Sequence, residues 1–283
     1  MSILGPILIL GIIGAVLGLL LGFSAKKFAV TEDSRVSLVR EVLPGANCGG
    51  CGFSGCDAYA RAVVSGAPLN KCGPGGAACA AKIAAILGRA ADASEPMVAW
   101  VACRGTSSAA VDWSGYMGIM DCRSASVIPG GGSKACQSGC LGFGTCVKAC
   151  KFNALHLADG IAKVDDDACV GCRACVEACP RGLITMIPKN SLVRIACNNP
   201  NKGPAVKAVC SVGCIGCSIC AKLSPDGAIA MDGNLPRVIN AHCEGCAASV
   251  GKCPTGAIIG FGPNVPAPKP EKKKRGDAGL TQS

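Results

Sequence analysis

The stretch "CVGCRACVEACP", Cys169 to Pro180, decides the fold. Its four cysteines stand at x2, x2 and x3 spacing and a proline closes the run, the arrangement by which short segments wrap 4Fe-4S clusters. The chain has 283 residues with 23 cysteines and only 4% aromatic residues, so a large aromatic core is unavailable and metal must hold much of the fold. Disulfide scaffolds also use many cysteines, but they are short secreted chains, and here the cysteines fall in tight C-x2-C groups. Thiolate–metal sites in such number imply a reducing compartment, and ligand binding becomes part of the folding free energy.

Working outward from this run, a shift of 74 residues carries Cys136, Cys140, Cys146, Cys169, Cys172 and Cys179 onto Cys210, Cys214, Cys220, Cys243, Cys246 and Cys253. A duplicated two-cluster ferredoxin is the simplest reading. In such a module the fourth cysteine of each run serves the other cluster. In the first copy Cys169, Cys172 and Cys175 are therefore completed by Cys150, and Cys140 and Cys146 by Cys179. Phe143 occupies the usual middle-ligand position, so Cys136 is expected to substitute. In the second copy Cys214, Cys217 and Cys220 are completed by Cys253, while Cys243 and Cys246 would need positions 249 and 224, both serine. The two substitutions fall on one cluster, which reads as a site lost coherently while its neighbour keeps all four ligands.

Upstream, "NCGGCGFSGCDAYARAVVSGAPLNKCGPGG" supplies Cys48, Cys51, Cys56 and Cys72, with a short helix expected after Asp57. The expectation is thus four 4Fe-4S clusters on sixteen cysteines. Zinc also accepts four thiolates, but the intact run from Cys169 to Pro180 favours iron–sulfur. Of the remainder, Cys79 reads as a small buried residue. Cys103, Cys122, Cys197 and Cys210 are enough in number for a fifth site from both halves, although their wide spacing favours plain buried thiols. His156 and His242 lie beside cluster segments and read as surface or outer-sphere residues.

Residues 3 to 23, "ILGPILILGIIGAVLGLLLGF", carry no charge and read as one transmembrane helix. Lys26, Lys27, Arg35 and Arg40 follow it, so the positive-inside rule places the bulk of the chain in the cytoplasm, on a single-pass anchor in the cell's inner membrane. The formal charge of +10 is largely offset, because each oxidised cluster with its thiolates carries about −2; nucleic acid gains no support as a partner. The fold class expected is α+β. The anchor occupies 1–27, a small helical 4Fe-4S domain 28–90, a linking segment 91–133, a two-cluster module 134–196, a degenerate second module 197–262 and a disordered basic tail 263–283. "MVAWVACRG" reads as a buried strand, and "NALHLADGIAKVD" as a hairpin around Asp159-Gly160.

The runs "LPGANCGGCGFSGC" with Cys72, "YMGIMDCRSAS", "KACQSGCLGFGTCVKAC" and "VDDDACVGCRACVEACPRGLI" together resemble the B subunit of the Rnf electron-transport complex. The likeness runs to about Ile259, and the second copy, with Cys197, Cys210 and "GCIGCSIC", is similar to a longer, extra-cluster form. Ser224 and Ser249 depart from that form. The resemblance implies a membrane complex passing electrons between ferredoxin and NAD, coupled to sodium ion or proton movement. In it this subunit is the cytoplasmic relay, with ferredoxin as donor and other membrane and redox subunits as partners. An alternative within the same architecture is reduction of another acceptor, such as a redox-sensing iron–sulfur regulator. The chain has no G-x-G-x-x-G opening a helix after a strand, so no dinucleotide site of its own is expected, and no catalytic residue set is discernible.

Overall fold

The computed structural model describes residues 4–27, 33–90, 95–262 and 265–270. Residues 263–264 and 271–283, most of the expected basic tail, lie outside the described residues. Helix α1, Leu4–Lys27, has 24 residues and so a length of about 36 Å, against a hydrocarbon core of ~30 Å. It is apolar on every side, and no part of the window Ile7–Ser24 is buried against the rest of the chain. By length and composition it is able to cross a membrane.

A three-helix unit follows. Asp33 caps α2, Ser34–Val42, by accepting from the Arg35 backbone N–H at 2.9 Å. Helix α3, Cys56–Val64, and α4, Gly76–Leu87, pack with it around Val39, Tyr59, Val63 and Ile83. The Tyr59 hydroxyl donates to the Pro68 carbonyl at 3.0 Å, so this buried ring keeps a polar partner.

The rest is α+β and doubled. The first repeat contains β1 (Met97–Val101), α5 (Cys122–Ser126), α6 (Thr145–Ala149), the hairpin β2–β3 (Leu155–Ala158 and Ile161–Val164), α7 (Ala174–Ala178) and β4 (Ile184–Pro188). The second contains β5 (Val193–Ile195), α8 (Gly203–Val209), α9 (Ile219–Leu223), the hairpin β6–β7 (Ile229–Asp232 and Leu235–Val238), α10 (Ala248–Lys252) and β8 (Ile258–Gly260). Elements α6, β2, β3, α7 and the start of β4 recur 74 residues later. Five-residue helices are too short to stand alone; α6, α7 and α10 each end on a cysteine, Cys150, Cys179 and Cys253.

Strand pairing sets different limits for the repeats than cysteine spacing does. Strand β1, inside the segment 91–133 read as a link, pairs antiparallel with β4, Val101 opposite Ile184. Strand β5, assigned from the sequence to the end of the first module, pairs with β8 of the second, Ile195 opposite Ile258. The same backbone bond follows in each: Ala102 N–H donates to Leu183 O, and Ala196 N–H to Ala257 O, both 2.8 Å. Cysteine spacing does not show this, because the strand opening each repeat carries no cysteine to mark it.

The repeats are joined by a cation held between rings. The guanidinium of Arg194, on β5, lies 3.9 Å from the Phe261 ring centre and 5.3 Å from that of Trp100, and pairs with Asp166 at 2.6 Å. Trp100 Nε1–H donates to Ile195 O at 2.7 Å. The helical unit meets the first repeat through glycines: a Cβ on Gly50 would collide with the Cys172 carbonyl oxygen, and one on Gly73 would stand 2.8 Å from that of Val170. Only glycine permits this approach of the Cys48–Cys72 segment to the loop bearing Cys169 and Cys172.

Candidate iron–sulfur sites

Four cavities are each walled by four cysteines, and a further set of cysteines lies in the helical unit. In the helical unit, Cys51, Cys56 and Cys72 pack against the shared core of α2, α3 and α4, and Asn47 Oδ1 accepts from Cys56 N–H at 2.8 Å, closing the loop that also carries Cys48. Burial pushes the Cys172 thiol of the first repeat up, and the nearby Cys48 sulfur adds to the effect. Cys79 is a fifth sulfur here, packed against Cys72 and donating to Val42 O at 3.6 Å.

In the first repeat one cavity is walled by Cys150, Cys169, Cys172 and Cys175. A second is walled by Cys122, Cys140, Cys146 and Cys179. Here the structure departs from the expectation: Cys122, not Cys136, faces Cys140, Cys146 and Cys179. Its position follows from local chemistry. Asp121 caps α5, accepting from Arg123 N–H at 2.9 Å and Ser124 N–H at 3.1 Å, and its other oxygen accepts from Thr145 Oγ1 at 2.7 Å. Thr145 Oγ1 in turn accepts from Cys122 N–H at 2.8 Å, so α5 is locked to the start of α6. Phe143, where a middle ligand would stand, stacks at 4.9 Å on Tyr116 of the same segment.

Cys136 turns the other way, into a cavity with Cys103, Cys197 and Cys210. The set Cys103, Cys122, Cys197 and Cys210, whose spacing favoured plain buried thiols over a fifth site, is not brought together; this cavity has Cys136 in the place of Cys122. This cavity is built twice over. Cys103 and Cys197 follow the paired strands β1 and β5 at an offset of 94, and Cys136 and Cys210 are mates at 74, so each repeat contributes an equivalent pair. Asn199 Nδ2 donates to Cys136 Sγ at 3.4 Å and Cys140 N–H to Cys103 Sγ at 3.3 Å. Buried Lys134 also lines the wall, its Nζ donating to Gly105 O at 2.9 Å and Gly160 O at 2.7 Å, which sets a cation where four thiolates and a cluster would leave net negative charge. The last cavity holds Cys214, Cys217, Cys220 and Cys253, grouped as the spacing predicts.

Burial pushes the thiols of Cys103, Cys146 and Cys175 up to about 12, with neighbouring sulfurs adding to the effect for Cys146 and Cys175. Such groups stay protonated at neutral pH unless a metal displaces the proton. Among the described residues no three His, Cys, Asp or Glu side chains are grouped closely enough to hold a single metal ion. The donor sets and their apolar walls fit 4Fe-4S clusters.

Two family models match: a putative Fe-S cluster model over residues 43–74 and a 4Fe-4S binding domain over residues 162–185. They bracket Cys48–Cys72 and Cys169–Cys179. The chain is 49% identical to the B subunit of the proton-translocating ferredoxin:NAD(+) oxidoreductase complex of Clostridium ljungdahlii, over 89% of this chain and 90% of that one. It is 44% identical to the Na(+)-translocating counterpart of Acetobacterium woodii, over 92% and 78%. To the B subunit of the ion-translocating oxidoreductase complex of Methanosarcina acetivorans it is 40% identical, over 90% and 97%. The chain belongs to this Rnf B-subunit family.

Within this Rnf B-subunit chain one corner holds no open group. Cys243 and Cys246 are joined by a disulfide. Ser224 Oγ donates to Ala221 O at 3.0 Å and accepts from Ile229 N–H at 3.1 Å, and Ser249 Oγ donates to Cys246 O at 2.6 Å. Both hydroxyls are committed to backbone. His156 lies on β2, and His242 pairs with Glu95 at 2.8 Å. The sequence does contain a signal for Cys122. Cys103 to Cys136 spans 33 positions and Cys197 to Cys210 only 13, so the first repeat carries 20 extra residues. Those residues include Cys122, and they stand in the copy where Phe143 replaces the cysteine equivalent to Cys217.

Proposed function

We propose that this chain is the membrane-anchored electron relay of a ferredoxin:NAD oxidoreductase complex, with five 4Fe-4S clusters. Their ligands are Cys48, Cys51, Cys56 and Cys72; Cys150, Cys169, Cys172 and Cys175; Cys122, Cys140, Cys146 and Cys179; Cys103, Cys136, Cys197 and Cys210; and Cys214, Cys217, Cys220 and Cys253. The single observation that carries this reading is that the five groups form an unbroken series. Gly50 approaches the Cys172 carbonyl, Cys146 and Cys175 share one core, Cys140 N–H reaches Cys103 Sγ, and Cys197 and Cys214 pack against the same core. Bound clusters supply one-electron redox steps. The protein binds them through thiolates, keeps water away by burying Cys136, Cys140, Cys146 and Cys175, and aims N–H donors at sulfur: Asn199 at Cys136, and Ala99 N–H at Cys169 at 3.4 Å.

Helix α1 has no ionisable side chain between Ile7 and Ser24, so sodium ion or proton movement belongs to other subunits of the membrane complex. Lys26 and Lys27 at its C-terminal end support placing the redox units on the cytoplasmic side, where ferredoxin would deliver electrons. The deciding test is anaerobic iron and acid-labile sulfide analysis of the detergent-solubilised full chain, with EPR during reductive titration. About twenty irons per chain are expected. About sixteen would leave one group without a cluster, and stoichiometric zinc without EPR signals would overturn the relay.

A further inference from the structure

The corner left by Ser224 and Ser249 is not simply empty. Among the C-x2-C pairs, Cys48/Cys51, Cys169/Cys172 and Cys214/Cys217 are free thiols, whereas Cys243 and Cys246 are bonded. Both sulfurs are inside the second repeat, their residues 7% and 1% exposed, so an external thiol has no approach to them. They share one apolar core with Cys220 and Cys253, against which Cys214 packs. A single turn, α10, connects Cys246 to Cys253, and Cys253 N–H donates to Ser249 O at 3.0 Å. By the shift of 74 the pair occupies the place of Cys169 and Cys172, beside the group equivalent to its electron-exchanging neighbour in the first repeat. A bridge over two residues removes less chain entropy than one closing a long loop, so its structural contribution lies at the low end for a disulfide.

We propose that Cys243 and Cys246 form a dithiol–disulfide couple that takes two electrons from the iron–sulfur group bound by Cys214, Cys217, Cys220 and Cys253. This rests on the relay reading above. The first electron leaves a one-electron-reduced sulfur–sulfur bond; the second breaks it, and each sulfur ends with one added electron and one proton. The reductant is a low-potential one-electron iron–sulfur donor, and the protons come from water. His242, half-exposed and adjacent to Cys243, marks the solvent edge of the corner. The relay then ends in a site that stores electrons in pairs, where its other groups handle them singly.

The test uses the full chain with clusters assembled, under anaerobic conditions. Photoreduced methyl viologen is the one-electron probe, with EPR followed in parallel. Samples are quenched in acid, denatured and alkylated, and the peptide bearing both cysteines is weighed. The expected result is that Cys243 and Cys246 become alkylatable together once the clusters are reduced, while dithiothreitol acting on the oxidised protein opens them at least about tenfold more slowly. A Cys243→Ser/Cys246→Ser double variant should keep its iron and take up two fewer electrons per chain. A pair that stays bridged while EPR shows reduced clusters would overturn the proposal and leave the relay standing. So would equal speed with dithiothreitol, or four additional irons held at this corner. Absence of any reducible cluster would remove the relay and the couple together.

Discussion

The two repeats share helices, hairpins and strand register, yet at one corner they end differently. In the first, Cys150, Cys169, Cys172 and Cys175 surround an open space. In the second, Ser224 and Ser249 turn their hydroxyls onto backbone carbonyls, and Cys243 and Cys246 bond to each other among Val193, Ile229 and Val250. Because ligands cross between the halves of such a module, losing one site could have damaged its neighbour. Here Cys253 still stands with Cys214, Cys217 and Cys220 around the neighbouring cavity. The fold tolerates the loss because Ser249 stays buried with its hydrogen bond made and the bridged pair remains within the core.

The largest expected effect tests that contrast directly. Cys175→Ser should remove about four irons and lower stability by several kcal/mol, because ligand binding there is folding free energy. Cys246→Ala, at the equivalent corner, should leave iron unchanged and cost about 2 kcal/mol, the scale for opening a four-residue loop closed by a disulfide. Iron analysis and chemical denaturation of the two variants side by side measure the difference. Equal iron loss in both would mean that the second corner still holds a cluster.

Part of the grouping was legible from spacing, because a ligand run is local: Cys169, Cys172 and Cys175 line one cavity with Cys150, and Cys214, Cys217 and Cys220 another with Cys253. The hairpin at Asp159-Gly160 and the strand at Met97 were equally readable from turn chemistry and apolar runs. Cys122 and Cys136 were exchanged for a physical reason. Cys122 reaches the cavity of Cys140, Cys146 and Cys179 from a 20-residue excursion that also carries Tyr116 against the Phe143 ring and is held by Asp121 and Thr145, and neither contact leaves a trace in cysteine spacing. The central group was hidden because its symmetry involves two different offsets, 74 and 94, and only one of them repeats widely.

A somewhat smaller and more specific effect follows from that exchange. Cys122→Ser and Cys136→Ser should each lose about four irons, but from different clusters. The first should spare the EPR signal that vanishes in the second, and the double variant should lose about eight irons. If both variants abolish the same signal, Cys136 belongs with Cys140, Cys146 and Cys179 after all.

The smallest expected effect concerns the symmetry of the central group. Asn199 lies two residues after Cys197 and donates to Cys136 of the opposite repeat; at the offset of 94 its counterpart after Cys103 is Gly105, which has no side chain to donate. The two halves are therefore built alike in sulfur and unlike in hydrogen bonding. A donor at sulfur favours the more negative, reduced state, so Asn199→Ala should lower this cluster's midpoint potential. A hydrogen bond of about 1 kcal/mol corresponds to on the order of 40 mV for one electron. Asn199 Oδ1 also accepts from Asn201 N–H at 3.0 Å, so unchanged iron content is the control that the loop has kept its shape. The reciprocal change is open, because a Cβ at Gly105 would meet Cys210 Sγ at an ordinary 3.4 Å. Gly105→Asn should raise the potential by a similar amount, and in the Asn199→Ala background it should restore it. Shifts confined to one EPR signal in both variants would place Asn199 and Gly105 at the same cluster, joined across the seam between the repeats.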